Sequence, residues 1–535
     1  MQVIRYPLTQ VQNLPPLLTA YLEQHEKLKS FFPFSPEPEG AAKAIEERKK
    51  FPIDHKCLAE TIEQQYFALE NDLLNGESYQ AVKANIESLK DDQTFTVTTG
   101  HQLQIFTGPL FFIYKLISTI NYAKQLKQLY PQYHFVPVYW MATEDHDLAE
   151  INHFHLWGKT FSWEMEAGGA VGPLSTDGLQ GIMDELETSF RDNLNGKKLL
   201  EIFRKAYDGN RTLADATRVI VHALFGEEGL VILDPDDKQL KRAFLPIILE
   251  ELTEQPIERL TGETLKQLSS FNPPVTPRPI NLFYLEENSR KRIIRDGDNY
   301  SLAEGGKKWT RKEITLEANE YPERFSPNVL LRPLYQETIL PNLAYIGGPN
   351  ELAYWLELKS TFAHFNTFYP QLILRDSALW VGKKFAKTLT DLKLTPDTLF
   401  KSYTDLKAGY YDDNGLNHPA ESTINSIQEL YTRMREELQP LGSETTAPIV
   451  RESNEQLKAL KKWRSAIRKQ IESQQEKQLE KLEKLHSTLF PEKSSQERYD
   501  NFISLYLLYG QTFFTTLKEN FDPVQREMKV FIEDR

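Results

Sequence analysis

The sequence predicts an α/β protein with a doubly wound parallel-sheet core and a helical C-terminal part. Short apolar runs typical of buried strands, such as residues 95–98 and 135–140, alternate with segments of helical periodicity. Polar clusters follow both runs, and open α/β sheets bind ligands at the carboxyl ends of their strands. From about Lys384 the chain changes to long, charged stretches with helical spacing of apolar residues.

The core is organised around residues 98–147. A strand near 95–98 leads into the turn Thr99-Gly100-His101-Gln102. Gly108-Pro109 indicates a helix start, because proline is tolerated in the first helical turn. The helix extends to about residue 129, and a second strand at 135–140 leads to Glu144-Asp145-His146-Asp147. This unit places more reactive side chains near strand ends than any other part of the chain.

The other elements follow in order. Helices precede residue 90, and apolar runs predict further strands near 229–234, 278–285, 343–346 and 371–374. We expect insertions near residues 157–210 and 286–325, the second a small antiparallel meander. Residues 1–383 therefore form the predicted core, and 384–535 the predicted helical arm. Apolar stripes at 424–434 and 457–489, with a turn near 440–443, favour a helical hairpin that dimerises.

Composition narrows the class of protein. A chain of 535 residues with 40% apolar residues supports two to four lobes. The net charge of -13 makes nucleic acid an unexpected partner. Cys57 is the only cysteine, which excludes an internal disulfide, and we interpret it as a free thiol. Without a signal-peptide pattern or an 18-residue apolar run, we expect a cytoplasmic protein that does not enter membranes.

The turn at residues 99–102 is a candidate ligand site. Gly100 would let the backbone approach a ligand, and free N–H groups near a helix start favour phosphate or carboxylate. An ordinary strand-to-helix turn explains the same residues equally well.

The acidic cluster is a stronger signal, because four consecutive ionisable side chains after an apolar strand are costly unless they are solvated or bind something. Glu144, Asp145 and Asp147 could hold Mg²⁺ with a nucleotide, or a substrate amine. His146 could act as an acid or base, or bind zinc with His153 and His155. Alternatively, the carboxylates cap the next helix. Substrate or nucleotide contact is favoured over capping, and capping over zinc, so no metal site is predicted.

A third cluster repeats this pattern at residues 347–351. Gly347-Gly348-Pro349-Asn350-Glu351 is a turn before a helix, and Arg332 and Arg375 suit carboxylate or phosphate recognition. Parallel strands share one carboxyl edge, so we expect His101, Asp145, Asn350 and Arg375 to line one pocket. Its expected volume is roughly 300–1,000 Å³.

These motifs together resemble the bacillithiol biosynthesis cysteine-adding enzymes, the BshC cysteine ligase family, over essentially the whole chain. The blocks that carry the resemblance are Thr99-Gly100-His101-Gln102, Thr107-Gly108-Pro109-Leu110 with Lys115, Glu144-Asp145-His146-Asp147, Leu331-Arg332-Pro333, Gln336-Glu337, and 344–349 with Glu351, Tyr354 and Trp355. The resemblance implies a Rossmann-like core with connective-peptide insertions and a C-terminal coiled-coil domain that forms a homodimer. It also implies the last step of bacillithiol synthesis, the addition of L-cysteine to glucosaminyl-malate.

Such a ligase would need ATP, with Mg²⁺ as a possible companion, to activate the cysteine carboxylate as an acyl-adenylate or acyl-phosphate. The candidate catalytic residues are Asp145, His146 and His101. The candidate substrate- or nucleotide-binding residues are Thr99, Gly100, Gln102, Thr107, Gly108, Lys115, Glu144, Asp147, Arg332, Gln336, Gly347, Gly348, Asn350, Glu351, Tyr354 and Arg375. Two alternatives stay open: another nucleotide-dependent ligase or nucleotidyltransferase on the same core, or a non-catalytic coiled-coil dimer that binds a small ligand.

Overall fold

The computed structural model describes residues 1–11, 14–69, 73, 76–208, 211–416, 419–441 and 443–534. Gly209 and Asn210 at the end of the first predicted insertion, Gly442 in the predicted arm turn, and Arg535 lie outside the described residues. The chain forms two compact units. The larger contains Pro7–Ala378 and Glu497–Lys529, and the smaller contains Met1–Tyr6, Leu379–Gln496 and Val530–Arg535.

The strands, in chain order, are β1 Gln2–Pro7, β2 Thr94–His101, β3 His134–Met141, β4 His153–Leu156, β5 Lys159–Ser162, β6 Val231–Leu233, β7 Leu282–Glu286, β8 Ser289–Asp296, β9 Asn299–Leu302, β10 Lys308–Thr310, β11 Phe325–Pro327, β12 Asn342–Gly347, β13 Gln371–Leu374, β14 Ser377–Val381 and β15 Glu527–Ile532.

The α-helices are α1 Leu8–Val11, α2 Pro16–Leu22, α3 Pro38–Arg48, α4 His55–Phe67, α5 Glu77–Ser88, α6 Phe111–Leu129, α7 Leu148–Ile151, α8 Gln180–Phe190, α9 Leu194–Ala206, α10 Leu213–Phe225, α11 Lys238–Glu254, α12 Pro256–Leu268, α13 Arg311–Glu320, α14 Arg332–Ile339, α15 Pro349–Trp355, α16 Lys359–His364, α17 Lys383–Asp391, α18 Tyr403–Asp413, α19 Pro419–Leu438, α20 Ser443–Gln474, α21 Glu476–Leu489, α22 Gln496–Tyr499, α23 Ile503–Tyr509 and α24 Gln511–Asn520. No helix among the described residues has the length and apolarity needed to cross a membrane.

A five-stranded parallel sheet is the centre of the larger unit, as predicted. Its strand order is β13-β12-β2-β3-β6, and all four strand pairs are parallel. Strand β2 is buried along its whole length because sheet neighbours and helices cover it. Helix α6 connects β2 to β3, and its residues 112–123 are all buried. The carboxyl ends of β2, β3 and β12 therefore share one edge of the sheet.

The predicted antiparallel meander is also present. Strands β7 to β11 form a second sheet in the order β10-β9-β8-β7-β11. The register pairs Phe283 of β7 with Arg292 of β8, and the next pairs close a tight hairpin at Glu286 and Ser289. The hairpin brings Arg290 back toward the central sheet, where it hydrogen bonds to Pro327, the last residue of β11, and to His146, which follows β3.

Residues 497–529, which the predicted division includes in the arm, pack in the larger unit. The predicted division placed residues 384–535 together, whereas Glu497–Lys529 group with Pro7–Ala378. The Asn501 side chain donates hydrogen bonds to the carbonyls of Phe106, at 2.8 Å, and Gly108, at 2.7 Å. These bonds fix the loop that leads into α6.

The smaller unit is mainly helical. Helices α19 and α20 are the two long elements, of 20 and 32 residues. In α21, Leu479, Leu482, Leu485 and Leu489 are buried at heptad-like spacing. By contrast, Leu430, Met434 and Trp463 of α19 and α20 are exposed, with Trp463 at 62%. The long helices therefore carry apolar side chains that this single chain does not cover.

Candidate active site

A cavity of about 680 Å³ lies at the carboxyl edge of the parallel sheet. Its wall combines the ends of β2 and β3, the starts of α14 and α15, and the meander. His101 and Asp145 line it, as predicted, and its volume falls within the expected range. Asn350 is exposed and Arg375 is buried, and neither is among the lining residues. The prediction that four named residues line one pocket is thus correct for His101 and Asp145 and wrong for Asn350 and Arg375.

Lys115 and Glu351 form a buried ion pair beneath the end of β2. The Lys115 ammonium donates to Glu351 Oε1 at 2.6 Å and to the Gly100 carbonyl at 2.5 Å. Burial lowers the pKa of Lys115. Burial also opposes ionisation of Glu351, but the Lys115 charge outweighs it and lowers the Glu351 pKa to about 2. Lys115 is fully buried and does not line the cavity, so its role is to hold the Gly100 turn through the hydrogen bond to the Gly100 carbonyl. Glu351, in contrast, lines the cavity.

Arg332 lies against Gly100 at the cavity wall. Its Nη2 donates to the Tyr354 hydroxyl at 2.8 Å, and its Nη1 has no hydrogen-bond partner among the described residues. A Cβ at Gly100 would stand 3.1 Å from that Nη1 atom and 3.4 Å from the Tyr345 hydroxyl. A side chain at position 100 would therefore press on the guanidinium, which would have to shift by a few tenths of an ångström.

His101 is buried between aromatic rings. Its ring stacks on Phe112 with centroids 4.7 Å apart, and its Nε2 lies 3.2 Å from Gln104 Oε1. Burial, with the nearby Lys115 charge, lowers the pKa of His101 to about 3. The imidazole is therefore neutral near pH 7.

The acidic cluster divides into side chains with different roles. Glu144 is nearly buried and forms an ion pair with the buried Lys241. Although burial opposes ionisation of Asp145, hydrogen bonds from His146 and Gln102 and the charge of Arg290 hold its pKa below the usual range. Gln102 donates to Asp145 at 2.8 Å and to Glu150 at 2.6 Å. Asp145 is thus an ionised carboxylate at the cavity wall.

His146 faces the meander. Its Nδ1 lies 2.9 Å from Nη1 of Arg290. Because a guanidinium only donates, Nδ1 accepts this bond and the ring proton is on Nε2. In this arrangement the imidazole has no lone pair left for a substrate proton, and its visible role is to hold Arg290. Asp147 is exposed at the start of α7 and makes no side-chain cap, so the capping explanation does not apply to it.

Several predicted binding residues support the fold around the cavity without lining it. Thr99 donates to the Ile346 carbonyl and joins β2 to β12. Thr107 and Gly108 form a left-handed turn held by Asn501, and Gln336 is bonded to Glu337 inside the core. Gly347 accepts from the Arg375 N–H, and Gly348 donates to Glu351. Arg375 itself forms a buried ion pair with Glu497.

No group of three or more His, Cys, Asp or Glu side chains is arranged for metal binding in the described ranges. His155, considered for zinc, instead stacks on Tyr499 with centroids 3.8 Å apart.

Arg290, Arg278, Glu150 and Lys241 were missed by the sequence reasoning. The basic character of residues 290–295 is visible in the sequence. However, only the folded chain brings Arg290 of the meander and the exposed Arg278, which precedes the meander, to the cavity.

The fold is that of a Rossmann-like α/β protein, and the cavity at its strand ends is a candidate small-molecule site. Two family models match the chain: the N-terminal Rossmann-like domain of bacillithiol biosynthesis BshC over residues 1–376, and its C-terminal coiled-coil domain over 378–533. The chain belongs to the BshC family.

Relatives named "Putative cysteine ligase BshC" align over most of their length. The protein from Flavobacterium johnsoniae is 39% identical over 523 residues, which cover 96% of each chain. The Christiangramia forsetii protein is 40% identical over 539 residues and 98% of each chain. The Bacillus velezensis protein is 29% identical over 470 residues, 82% of this chain and 84% of its own. These matches confirm the resemblance inferred from the motifs and the predicted fold class.

Proposed function

We propose that the protein is a cysteine ligase that joins the carboxylate of L-cysteine to the amine of glucosaminyl-malate, the last step of bacillithiol synthesis. The charge balance of the cavity carries this proposal. Lys115, Lys241 and Arg375 are each paired with a glutamate. Arg290 and Arg332 line the cavity, and neither has a carboxylate within 4.0 Å among the described residues. Arginines that form no ion pair with a protein carboxylate are suited to anionic ligands.

The second support is the ionised Asp145 on the same wall. A carboxylate that stays charged attracts an ammonium group, and each substrate has an amine. The cavity therefore offers cationic and anionic partners to ligands that carry both charges.

The reaction needs an activated carboxylate, because the carboxylate oxygen is a poor leaving group. ATP supplies the activation by transferring a phosphoryl or adenylyl group to a carboxylate oxygen. When the amine attacks the carbonyl carbon, the C–N bond forms, phosphate or AMP leaves, and an ammonium proton passes to a base. Arg332 is placed to stabilise negative charge during these steps, because its guanidinium is fixed by Tyr354 before any ligand binds.

The positive charge of Arg332 and the aromatic walls at Phe111, Trp140 and Phe283 fit an anionic nucleotide. Mg²⁺ would enter with the triphosphate, since magnesium is commonly bound through phosphates and waters. We propose in addition that the protein is a homodimer through the arm and acts in the cytoplasm.

One mixture tests the reaction. Purified full-length protein is incubated with ATP, L-cysteine and glucosaminyl-malate, and the products are analysed by mass spectrometry. The amide product supports the ligase, and AMP with pyrophosphate or ADP with phosphate identifies the route. ATP consumption with a different acceptor would instead indicate another ligase or transferase. Ligand binding without any turnover would indicate a binding protein.

A further inference from the structure

Arg290 is fixed before any ligand arrives. Its Nε donates to Ser326 Oγ at 3.1 Å, its Nη2 to the Pro327 carbonyl at 3.1 Å, and its Nη1 to His146 Nδ1 at 2.9 Å. The guanidinium also lies 4.0 Å from the centre of the Phe283 ring. A guanidinium has five N–H donors, so two donors, one on each Nη, have no partner in the described part of the chain.

All three partners of Arg290 are neutral. The hydroxyl, the carbonyl and the neutral imidazole orient the charge without cancelling it. In contrast, each buried lysine near the cavity contacts a glutamate. No described carboxylate forms an ion pair with Arg290, although the charges of Glu144, Asp145 and Asp236 act on it from farther away. Its remaining N–H donors at the cavity wall are therefore available to a ligand carboxylate.

Asp145 lies near the same nitrogen of the imidazole. Its Oδ1 is 3.6 Å from His146 Nδ1, the atom that accepts from Arg290. A fixed cation and a fixed anion thus flank one nitrogen, a few ångströms apart. This spacing suits a ligand in which a carboxylate and an ammonium group are close neighbours.

One backbone segment holds both groups in place. The Gly168 carbonyl accepts from the Arg290 N–H at 3.2 Å, and the Val171 N–H donates to the Asp145 carbonyl at 2.8 Å. A Cβ at Gly169 would stand 2.6 Å from the Ser289 nitrogen, so the segment passes directly against the β7–β8 hairpin. The Gly168-Gly169 pair therefore allows a rigid link between the two charges.

We propose that Arg290, His146 and Asp145 form a zwitterion subsite, in which Arg290 binds a ligand carboxylate, Asp145 binds the neighbouring ammonium, and His146 positions Arg290. The inference rests on the proposed function and deepens it. Two substrates have this chemistry. Cysteine carries both groups on one carbon, and glucosaminyl-malate carries its amine and its malyl group on neighbouring sugar carbons.

Calorimetric titration of the full-length protein with two matched ligand pairs tests the subsite. L-Cysteine is compared with cysteamine, which lacks the amino-acid carboxylate. Glucosaminyl-malate is compared with methyl glucosaminide, which lacks the malyl carboxylates. In Arg290→Met we expect affinity for one carboxylate ligand to fall about tenfold to hundredfold, while its carboxylate-free partner is unaffected. The pair that responds identifies the substrate. Arg290→Lys keeps the positive charge but loses the paired N–H donors of the guanidinium. It should therefore reduce the affinity for the same carboxylate ligand by a smaller factor.

Arg295 provides a matched control on the same strand. It also donates to backbone carbonyls, of Gly297 and Thr253, and lies over an aromatic ring, that of Tyr300, but it does not line the cavity. Arg295→Met should leave all four affinities unchanged.

His146 variants separate positioning from acid–base catalysis. His146→Asn keeps an acceptor near the place of Nδ1 and should retain the affinity, whereas His146→Ala should raise Kd and KM with little change in kcat. Loss of kcat in both variants would contradict the positioning role.

The subsite is refuted if the wild type binds neither carboxylate ligand, or if Arg290→Met binds both with a Kd within twofold of the wild type. It is also refuted if Arg290→Met weakens binding of the carboxylate-free analogues as much as binding of the carboxylate ligands. If the wild type forms the amide and Arg290→Met binds its ligands as the wild type does, the ligase proposal is supported and the subsite is refuted. If affinity depends on Arg290 but no amide product forms, the subsite is supported and the ligase proposal is contradicted.

Discussion

Lys115 and Glu351 form an ion pair whose two bonds, of 2.6 and 2.9 Å, join residues 236 positions apart beneath the site. The pair also holds the Gly100 carbonyl. Lys115→Met should destabilise the protein by up to about 3–5 kcal/mol, because Glu351 loses its ion-pair partner and the Gly100 carbonyl loses its donor. Urea denaturation measures the loss. The double variant Lys115→Met with Glu351→Gln should recover a large part of it, and failure to recover would mean that packing of the lysine stem dominates.

From the lowered pKa of His101 we predict that the stability of the protein depends on pH. The His101 pKa is lowered from 6.5 to about 3 in the folded state, so below pH 6.5 the unfolded chain binds a proton that the native protein does not. Stability should therefore be complete above pH 6.5 and fall as the pH decreases toward 3, with a slope of up to about 1.4 kcal/mol per pH unit. His101→Gln should lack this part of the slope between pH 6.5 and 5. Identical slopes for both proteins would show that His101 is not buried and neutral.

Asp145 should matter for activity more than for stability. Asp145→Asn removes the anion that would hold an amine, and we expect at least a tenfold loss of amide formation with a melting temperature close to the wild type. Asp147 is the neighbouring control, because it is exposed and makes no cap bond. Asp147→Asn should change neither quantity. Full activity of Asp145→Asn with a lower melting temperature would assign the carboxylate a structural role only.

Gly100 should not tolerate a side chain. The Cβ of Gly100→Ala would meet Arg332 Nη1 at 3.1 Å, so the guanidinium must shift. Because sub-ångström placement matters for catalysis, we expect kcat/KM to fall at least tenfold. Gly262 of α12 is the matched control, since no atom lies within 4 Å of its added Cβ. Gly262→Ala should keep activity and raise stability by roughly 0.5–1 kcal/mol. Equal kinetics for the two variants would argue against a fixed Arg332.

The arm should form a dimer in solution. Trp463 is 62% exposed, and Leu430 and Met434, one helical turn apart, are 52% and 38% exposed. Contiguous exposed apolar surface of this kind marks protein–protein contacts. Light scattering at micromolar concentration should give twice the chain mass, and Trp463→Glu should shift the protein toward the monomer. Leu316→Glu, at a 52% exposed position in the larger unit, should leave the mass unchanged. A monomeric wild type would refute the prediction.

The central sheet was predictable because its strands are short apolar runs followed by turn residues. Strand β3 was expected at 135–140 and spans His134–Met141, and β13 was expected at 371–374 and spans Gln371–Leu374. The shared carboxyl edge then follows from parallel pairing, and it correctly placed His101 and Asp145 on one cavity.

The partners of each charged residue were not predictable from local patterns. Lys115, Glu144 and Arg375 have the residue types of binding groups, yet each pairs with a distant buried charge: Glu351, Lys241 and Glu497. Whether a cation is neutralised depends on contacts between residues more than 90 positions apart. For the same reason Arg290, whose charge is not neutralised, has no distinguishing local signal.

The bonds from Asn501 to the Phe106 and Gly108 carbonyls make the larger unit discontinuous in the chain, with the arm inserted between its two parts. During synthesis, the ribosome adds the whole arm before it reaches Asn501. The loop before α6 therefore acquires its final hydrogen bonds only when the last tenth of the protein has been made. A nascent chain that stops at residue 376 has all five parallel strands and every residue that lines the cavity, but it lacks Asn501, which holds the loop before α6.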